Sequence, residues 1–299
     1  MADPLQVLEV VDDLPLVTVA MPVYNAGKYL RLAVMSIVNQ TFTSWELLII
    51  DDGSTDDALK SIEDIDDARI RILRDGKNRG LAARLNECID MARGQYLARM
   101  DQDDVSYPER FKYQIEALQK DRKLDLVGAR AITIDENNQV TGLFPYAISH
   151  KEICAQPWRG FYLTHPTWMG RIEWFRKHRY TVPGPYFSED QDLLLRSYRN
   201  SRFATLDEIL FAYRIRGQVN WPKLARTRLT IYISQWRYFT GLNQWYFVLL
   251  ATVAFLAKMT GDLLKRIQGK TFKPGCNFSN SDVNSQWHNT LQELADVSK

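Results

Sequence analysis

Cysteine and histidine are scarce in this chain, three and four residues of 299. Cys88, Cys154 and Cys276 are odd in number and far apart, which argues against a disulfide framework or a paired zinc site and fits a reducing compartment. An excess of one charge is missing too. The formal charge is only +2, so the field of the whole molecule gives no case for a nucleic-acid partner. Met1 to Leu14 carries Asp3, Glu9, Asp12 and Asp13 in place of a basic start and an apolar run, and reads as an N-terminal extension, not a secretory signal. The longest apolar run, Trp245 to Ala257, has about 13 residues, short of the ~20 that span a bilayer. Low-complexity tracts and internal repeats are absent, which leaves an ordinary globular protein with a large core.

What is present is an alternation of two periods. Leu16–Met21 and Trp45–Ile50 are short apolar runs of the kind found in strands covered on both faces. Arg69–Leu73, Gln95–Met100 and Leu124–Gly128 read as three further strands. Helical patterns run from Tyr29 to Val38 and from Gly80 to Arg93. Ser54 or Thr55 is placed to cap a helix after the second strand, and Ser106 with Glu109 spells a capping box for a helix running to Lys120. This alternation predicts an α/β fold with an open, mostly parallel sheet. Beyond residue 129 the pattern changes to a hairpin around Glu136-Asn137-Asn138, an irregular stretch rich in Trp and Pro, a helix from Glu189 to Arg199, and short strands from Phe203 to Tyr213. The chain divides into an extension (1–14), a main domain (15–220), amphipathic and apolar helices (221–270) and a polar, loose tail (271–299).

Ligands of such sheets bind at the carboxyl ends of the strands. Two acidic clusters fall there, Asp51-Asp52 and Asp101-Gln102-Asp103-Asp104. Three carboxylates within four residues repel one another unless a cation relieves them. Hard oxygen ligands suit Mg²⁺ or Mn²⁺, which typically take one or two carboxylates plus phosphate oxygens.

Several stretches together resemble glycosyltransferase family 2, with its Rossmann-like GT-A fold. They are Val17-Thr-Val-Ala-Met-Pro-Val-Tyr-Asn25, Ser36-Ile-Val-Asn-Gln-Thr-Phe42, Ile49-Ile-Asp-Asp-Gly-Ser-Thr-Asp56 and Asn78-Arg-Gly-Leu-Ala-Ala-Arg-Leu-Asn86. Ala92 to Asp104, His165-Pro-Thr, Ser188-Glu-Asp-Gln-Asp-Leu193 and Tyr213-Arg214 continue the series in the family's order, as in its bacterial polysaccharide and rhamnosyltransferase-like members. The resemblance implies that Pro22, Tyr24 and Asn25 line a nucleotide pocket, that Asp52 accepts hydrogen bonds from the base, and that Arg79 lies near base or phosphates. It implies a Mn²⁺ or Mg²⁺ on Asp103 and Asp101, with Asp104 orienting the loop or touching the sugar. Asp190 becomes the catalytic base of an inverting displacement, beside Glu189 and near His165. The implied donor is a nucleotide-diphosphate sugar and the implied acceptor a glycan or lipid-linked saccharide for cell-surface polysaccharide.

One departure stands out. Related sequences carry Tyr-Arg-x-His where this chain has Tyr213-Arg214-Ile215-Arg216, and arginine cannot ligate a cation but grips phosphate with a planar fork. Late in the chain, Trp236, Trp245, Tyr246 and Phe247, with Lys258, Lys265, Arg266, Lys270 and Lys273, resemble an interfacial membrane element. A cytoplasmic enzyme is the expectation, and three readings of these helices stay open: a pair packed on the core, peripheral attachment to the inner face of the plasma membrane, and a true span. The competing readings are a nucleotidyltransferase, disfavoured because Pro22-Val-Tyr-Asn25 is no basic glycine-rich loop, and a non-catalytic nucleotide-sugar-binding protein, which has no use for Asp190.

Overall fold

The computed structural model describes residues 14–185, 187–217, 220–268 and 281–297. The N-terminal extension through Asp13, Lys270, Lys273 and Cys276 lie outside the described residues. The first half is built from β1 (Val17–Val23), α1 (Leu30–Val38), β2 (Trp45–Asp51), β3 (Ile70–Arg74), α2 (Leu81–Met91) and β4 (Tyr96–Arg99). Every residue of β1, β2 and β4 is buried, as their apolar composition demands. β1 pairs in parallel with β2 on one side and β4 on the other, and β3 extends the sheet beyond β2. The chain thus moves outward to β3 and then returns to the far side of β1. That reversal opens a crevice at the carboxyl ends of β1 and β4, next to both acidic clusters.

The second half adds β5 (Val105–Ser106), α3 (Arg110–Lys120), β6 (Leu126–Ile134), β7 (Val140–Leu143), α4 (His150–Ile153), β8 (Met169–Arg171), α5 (Ile172–Lys177), α6 (Glu189–Ser197) and β9 (Phe203–Arg214). The sheet order is β3-β2-β1-β4-β8-β6-β9-β5, with β7 paired to β6. β8 joins the halves by pairing antiparallel with both β4 and β6. It hides in the stretch that reads as irregular, because three residues between Trp168 and Ile172 show no period. The expected short strands after Phe203 are one long strand, β9, whose register against β6 shifts around Arg130.

Two expected caps do not form. Ser106 lies in β5, and its N–H donates to Ser36 Oγ; Glu109 is the N-cap residue of α3 and makes no side-chain cap bond. The Phe111 N–H at its start is satisfied instead by Gln40 Oε1 at 3.1 Å, a partner 71 residues away. After β2 a 3₁₀ turn (Ala58–Ile62) replaces the helix, and Ser54 Oγ accepts the Asn25 N–H.

α7 (Trp221–Gly241) and α8 (Trp245–Ile267) form a hairpin on the side of α6. The Tyr232 and Phe255 rings stack at 4.7 Å, the Tyr232 hydroxyl meets Thr252 Oγ1 at 3.0 Å, and Arg228 pairs with Asp262. α8 outlasts the apolar run read from the sequence. Lys258 does not end it, because that side chain turns to the Arg159 carbonyl at 2.5 Å and the helix continues to Ile267. Among the described residues α8 is long and apolar enough to cross a membrane, and only 11% of its apolar window is buried. The polar tail also differs from expectation. Residues 281–297 form α9, and Val283, Trp287 and Leu294 pack among Met35, Val105, Ile132 and Ala212. Its apolar positions are few, which is why the composition reads as a tail.

Candidate active site

The crevice is framed by three loops that hold one another through side-chain to backbone hydrogen bonds. Gln102 clamps the end of β1 from both sides, accepting the Tyr24 N–H at 2.6 Å and donating to the Tyr24 carbonyl at 2.9 Å. Asn25, at φ +50°, accepts the Thr55 N–H at 2.8 Å through its side chain. Asn tolerates this left-handed backbone better than a bulkier residue, which explains its place there. Gly53 (φ +76°) lets the 77–80 segment pass, since a Cβ would stand 3.0 Å from the Lys77 carbonyl carbon.

The predicted nucleotide residues divide accordingly. Tyr24, just beyond β1 and bound through its backbone to Gln102, is 46% exposed. Pro22 is buried within β1, opposite Ile50, and so does not line a pocket directly. Asp52 departs from its expected contact with a base. Its carboxylate is taken up by the N–H groups of Arg79 and Gly80 and by Arg84 Nε, at 2.7 to 3.0 Å, so it shapes the 77–80 loop and is spent there. The Arg79 side chain is turned to Asp75 at 2.6 Å. Arg84, which sequence reading passed over, is the fully buried hub of this corner, bonded to Asp52, Asp75, Glu87 and the Lys77 carbonyl. Asp75 is held below the usual carboxylate range by Arg84 and the Lys77 N–H.

The second cluster lies just beyond β4. Arg216 grips Asp103 Oδ2 with both Nε and Nη2 at 2.6 Å, and its guanidinium lies 4.8 Å from the Tyr29 ring. Burial first, then the Asp101 charge, raises the Asp103 pKa against the pull of Arg216. Asp104 is buried, only 1% exposed. It accepts the Arg214 N–H at 2.8 Å and so orients the loop, while burial and the Asp101 and Asp103 charges push its pKa well up. Arg214 is structural as well, donating to the Asp103 and Asp135 carbonyls at 2.7 Å.

Across the crevice Glu189 and Asp190 begin α6, where the helix N-terminus favours acids. Burial, then the Asp190 charge, pushes Glu189 up to about 7. Burial raises Asp190 too, against hydrogen bonding from Gln191, whose Nε2 lies at 3.2 Å. His165 is buried, with Nε2 2.8 Å from the Tyr180 hydroxyl and Nδ1 3.9 Å from Glu189. Burial and then Arg99 drive its pKa well down, so it is a neutral wall residue.

Arg99 joins the two sides. It ends β4, is 2% exposed, and lies 2.5 Å from Asp101 Oδ1. Burial discourages its charge, but Asp101, Tyr180 and Glu189 outweigh that and its pKa rises. The same guanidinium acts on Asp190 and His165. The two acidic sets, some ninety residues apart in the chain, therefore both feel one buried cation. A charge at the tip of the otherwise apolar run Tyr96-Leu-Ala was the signal available in the sequence.

The Glycosyl transferase family 2 model matches residues 18–179, which covers β1 through α5. This chain is a family 2 glycosyltransferase. The putative glycosyltransferase EpsE of Bacillus subtilis is 33% identical over 206 residues, spanning 67% of this chain and 73% of that protein. The Escherichia coli UDP-Glc:α-D-GlcNAc-diphosphoundecaprenol β-1,3-glucosyltransferase WfgD is 30% identical over 140 residues, 46% of this chain and 54% of that protein. Among solved structures, S. aureus TarS (residues 1–349) with UDP-GlcNAc superposes with a TM-score of 0.63 at 16% identity, covering 95% of this chain and 81% of that one. Against a longer TarS structure the glycosyltransferase covers 39% of that chain. The mannosyltransferase PcManGT of Pyrobaculum calidifontis, solved with GDP-Man and Mn²⁺, gives a TM-score of 0.54 at 14% identity, covering 94% and 85%. These likenesses establish the GT-A fold, and the family sets aside the nucleotidyltransferase and the non-catalytic binder.

For a resident cation the fit is partial. Asp101 and Asp103 provide the hard oxygens that Mg²⁺ or Mn²⁺ takes alongside phosphate oxygens. Among the described residues no third His, Cys, Asp or Glu joins them. Arg216 fills that corner with positive charge of its own.

Proposed function

We propose that the enzyme is an inverting, metal-assisted transferase that moves a sugar from a nucleoside-diphosphate sugar to a lipid-linked glycan during polysaccharide synthesis. The observation that carries it is the buried Arg99 guanidinium, which pairs with Asp101 at 2.5 Å and acts electrostatically on Glu189 and Asp190. The base of the donor stacks on Tyr24, and its diphosphate lies by Asp101 and Asp103. Asp101 and Asp103 would hold a Mn²⁺ or Mg²⁺, which would supply charge neutralisation for the diphosphate. Arg216, already poised on Asp103, supplies a guanidinium fork for the phosphate oxygens. Asp190 accepts the proton of an acceptor hydroxyl as its oxygen bonds to the anomeric carbon. The bond from that carbon to the diphosphate breaks with its electron pair going to the leaving group, and one displacement inverts the centre. Glu189 and neutral His165 shape the wall beside it.

What the names of WfgD and TarS say of their substrates supports this choice of donor and acceptor class. The exposed face of α8 supports peripheral contact with the inner face of the plasma membrane. The test is a panel of nucleotide sugars scored for nucleoside diphosphate release with Mn²⁺ and with EDTA. At least one donor is expected to turn over, with release abolished in Asp103→Ala. No turnover of any donor, or an Asp103→Ala enzyme indistinguishable from wild type, refutes the proposal.

A further inference from the structure

Glu189 lies beside an imidazole whose other nitrogen is held by a tyrosine. His165 Nδ1 is 3.9 Å from Glu189 Oε1, and His165 Nε2 is 2.8 Å from the Tyr180 hydroxyl. All three side chains are largely out of solvent, with Tyr180 3% and His165 8% exposed and the Glu189 side chain 12%. The His165 ring sits edge-on to Trp168 at 4.6 Å, and the Trp168 indole N–H is fixed on the Leu163 carbonyl. Tyr180 is gripped through its backbone. Asn86 of α2 accepts the Tyr180 N–H at 3.0 Å and donates to the Tyr180 carbonyl at 2.8 Å. Arg179, next in the chain, pairs with Asp90 of the same helix at 2.5 Å. The last residue of the Asn78–Asn86 stretch thus anchors the tyrosine to the sheet-packed helix.

These contacts decide where the ring hydrogen of His165 sits. Burial raises the Tyr180 pKa, so the phenol keeps its hydrogen. Its one hydrogen-bond partner among the described residues is His165 Nε2, and a buried hydroxyl that does not donate is left unsatisfied. Nε2 therefore accepts. Burial and the Arg99 charge keep His165 neutral, and a neutral imidazole with one accepting nitrogen carries its hydrogen on the other. That nitrogen is Nδ1, the one nearer Glu189. At 3.9 Å the pair is too long for a hydrogen bond, yet catalytic contacts of this kind tighten when substrate binds. The opposite tautomer would set a lone pair against the carboxylate oxygen.

We propose that Tyr180 is a positioning residue of the transfer reaction: its hydroxyl holds His165 in the Nδ1–H tautomer, and that N–H steadies Glu189 beside Asp190. The idea deepens the proposed function and rests on its assignment of Asp190 as the base. The experiment labels the histidines of the full chain with ¹⁵N, assigns His165 by its loss in His165→Gln, and reads the tautomer by NMR from about pH 6 to 8. Wild-type His165 is expected to stay neutral with its hydrogen on Nδ1. In Tyr180→Phe the hydrogen should move to Nε2 or divide between the two nitrogens. The same variant should lose about 10-fold to 10²-fold in kcat, the scale of a small misplacement, with donor KM, UDP binding and melting temperature unchanged. A tyrosine that only fills space would alter neither the tautomer nor kcat. An Nε2–H tautomer in wild type, an unchanged tautomer in Tyr180→Phe, or a Tyr180→Phe kcat equal to wild type overturns the proposal. The wild-type spectrum decides the tautomer even if the variant is poorly folded. Donor turnover with an Nε2–H tautomer refutes this inference alone, and an Nδ1–H tautomer without turnover of any donor refutes the proposed function alone.

Discussion

The two walls of the active site are built in opposite ways. On the donor side nearly every polar side chain is committed: Gln102, Asn25, Asp52, Arg84, Asp104 and Arg214 each bind backbone or a buried partner in a neighbouring loop. On the acceptor side Asp190 receives one side-chain bond from Gln191, and a 580 Å³ hollow lies on the far face of its helix. The difference teaches that the first wall is fixed by bonds between its own loops, while the Asp190 carboxylate is held by few.

The largest expected break falls on the loosely held wall. Asp190→Asn should lower kcat by about 10²–10⁴, the usual worth of a general base, with donor binding by calorimetry unchanged. Next is the donor hub. Arg84→Met leaves Asp52, Asp75 and Glu87 without their buried counter-charge and should cost about 3–5 kcal/mol in urea unfolding. The matching change on the acceptor side, Arg196→Met, should cost no more than about 1 kcal/mol, because that pair is open to solvent. If the two losses are equal, the contrast between the walls is wrong.

These walls were not equally legible in the sequence. The donor half was read nearly whole, because β1, β2 and β4 are apolar runs broken by acids at their tips, and strand ends are where such sheets bind ligands. Asp101 lies against the Arg99 guanidinium, whose charge also acts on Glu189 and Asp190. What escaped were residues whose roles depend on distant partners. Asp52 looked like a ligand-binding acid until Arg84, thirty-two residues on, was seen to occupy it. Ser106 spelled a cap that Gln40 provides instead. β8 and α9 were missed because one is too short for a period and the other too polar, and both are held by tertiary contacts.

Smaller effects sharpen the comparison. Asn25→Ala gives up the bond to Thr55 and puts a β-carbon residue without side-chain compensation at φ +50°, a loss of about 1–2 kcal/mol by urea unfolding. The smallest is a slope. Glu189 titrates at about 7 in the fold, above its unfolded value, so its neutral form stabilises the protein below the unfolded pKa and that contribution fades as pH rises through 7. Glu189→Gln should flatten the fall in melting temperature from about pH 5 to 8.

Trp287 of α9 donates to the Asn138 carbonyl at 2.7 Å, across 149 residues of chain. Asn138 belongs to the β6–β7 turn, and that same turn offers the Asp135 carbonyl to Arg214 and the Glu136 carboxylate to the Gly217 N–H. During synthesis the nascent chain emerges from its N-terminus, so this turn leaves the ribosome long before the helix that braces it. The corner behind Asp103 therefore gains its brace only after a further 149 residues have been made.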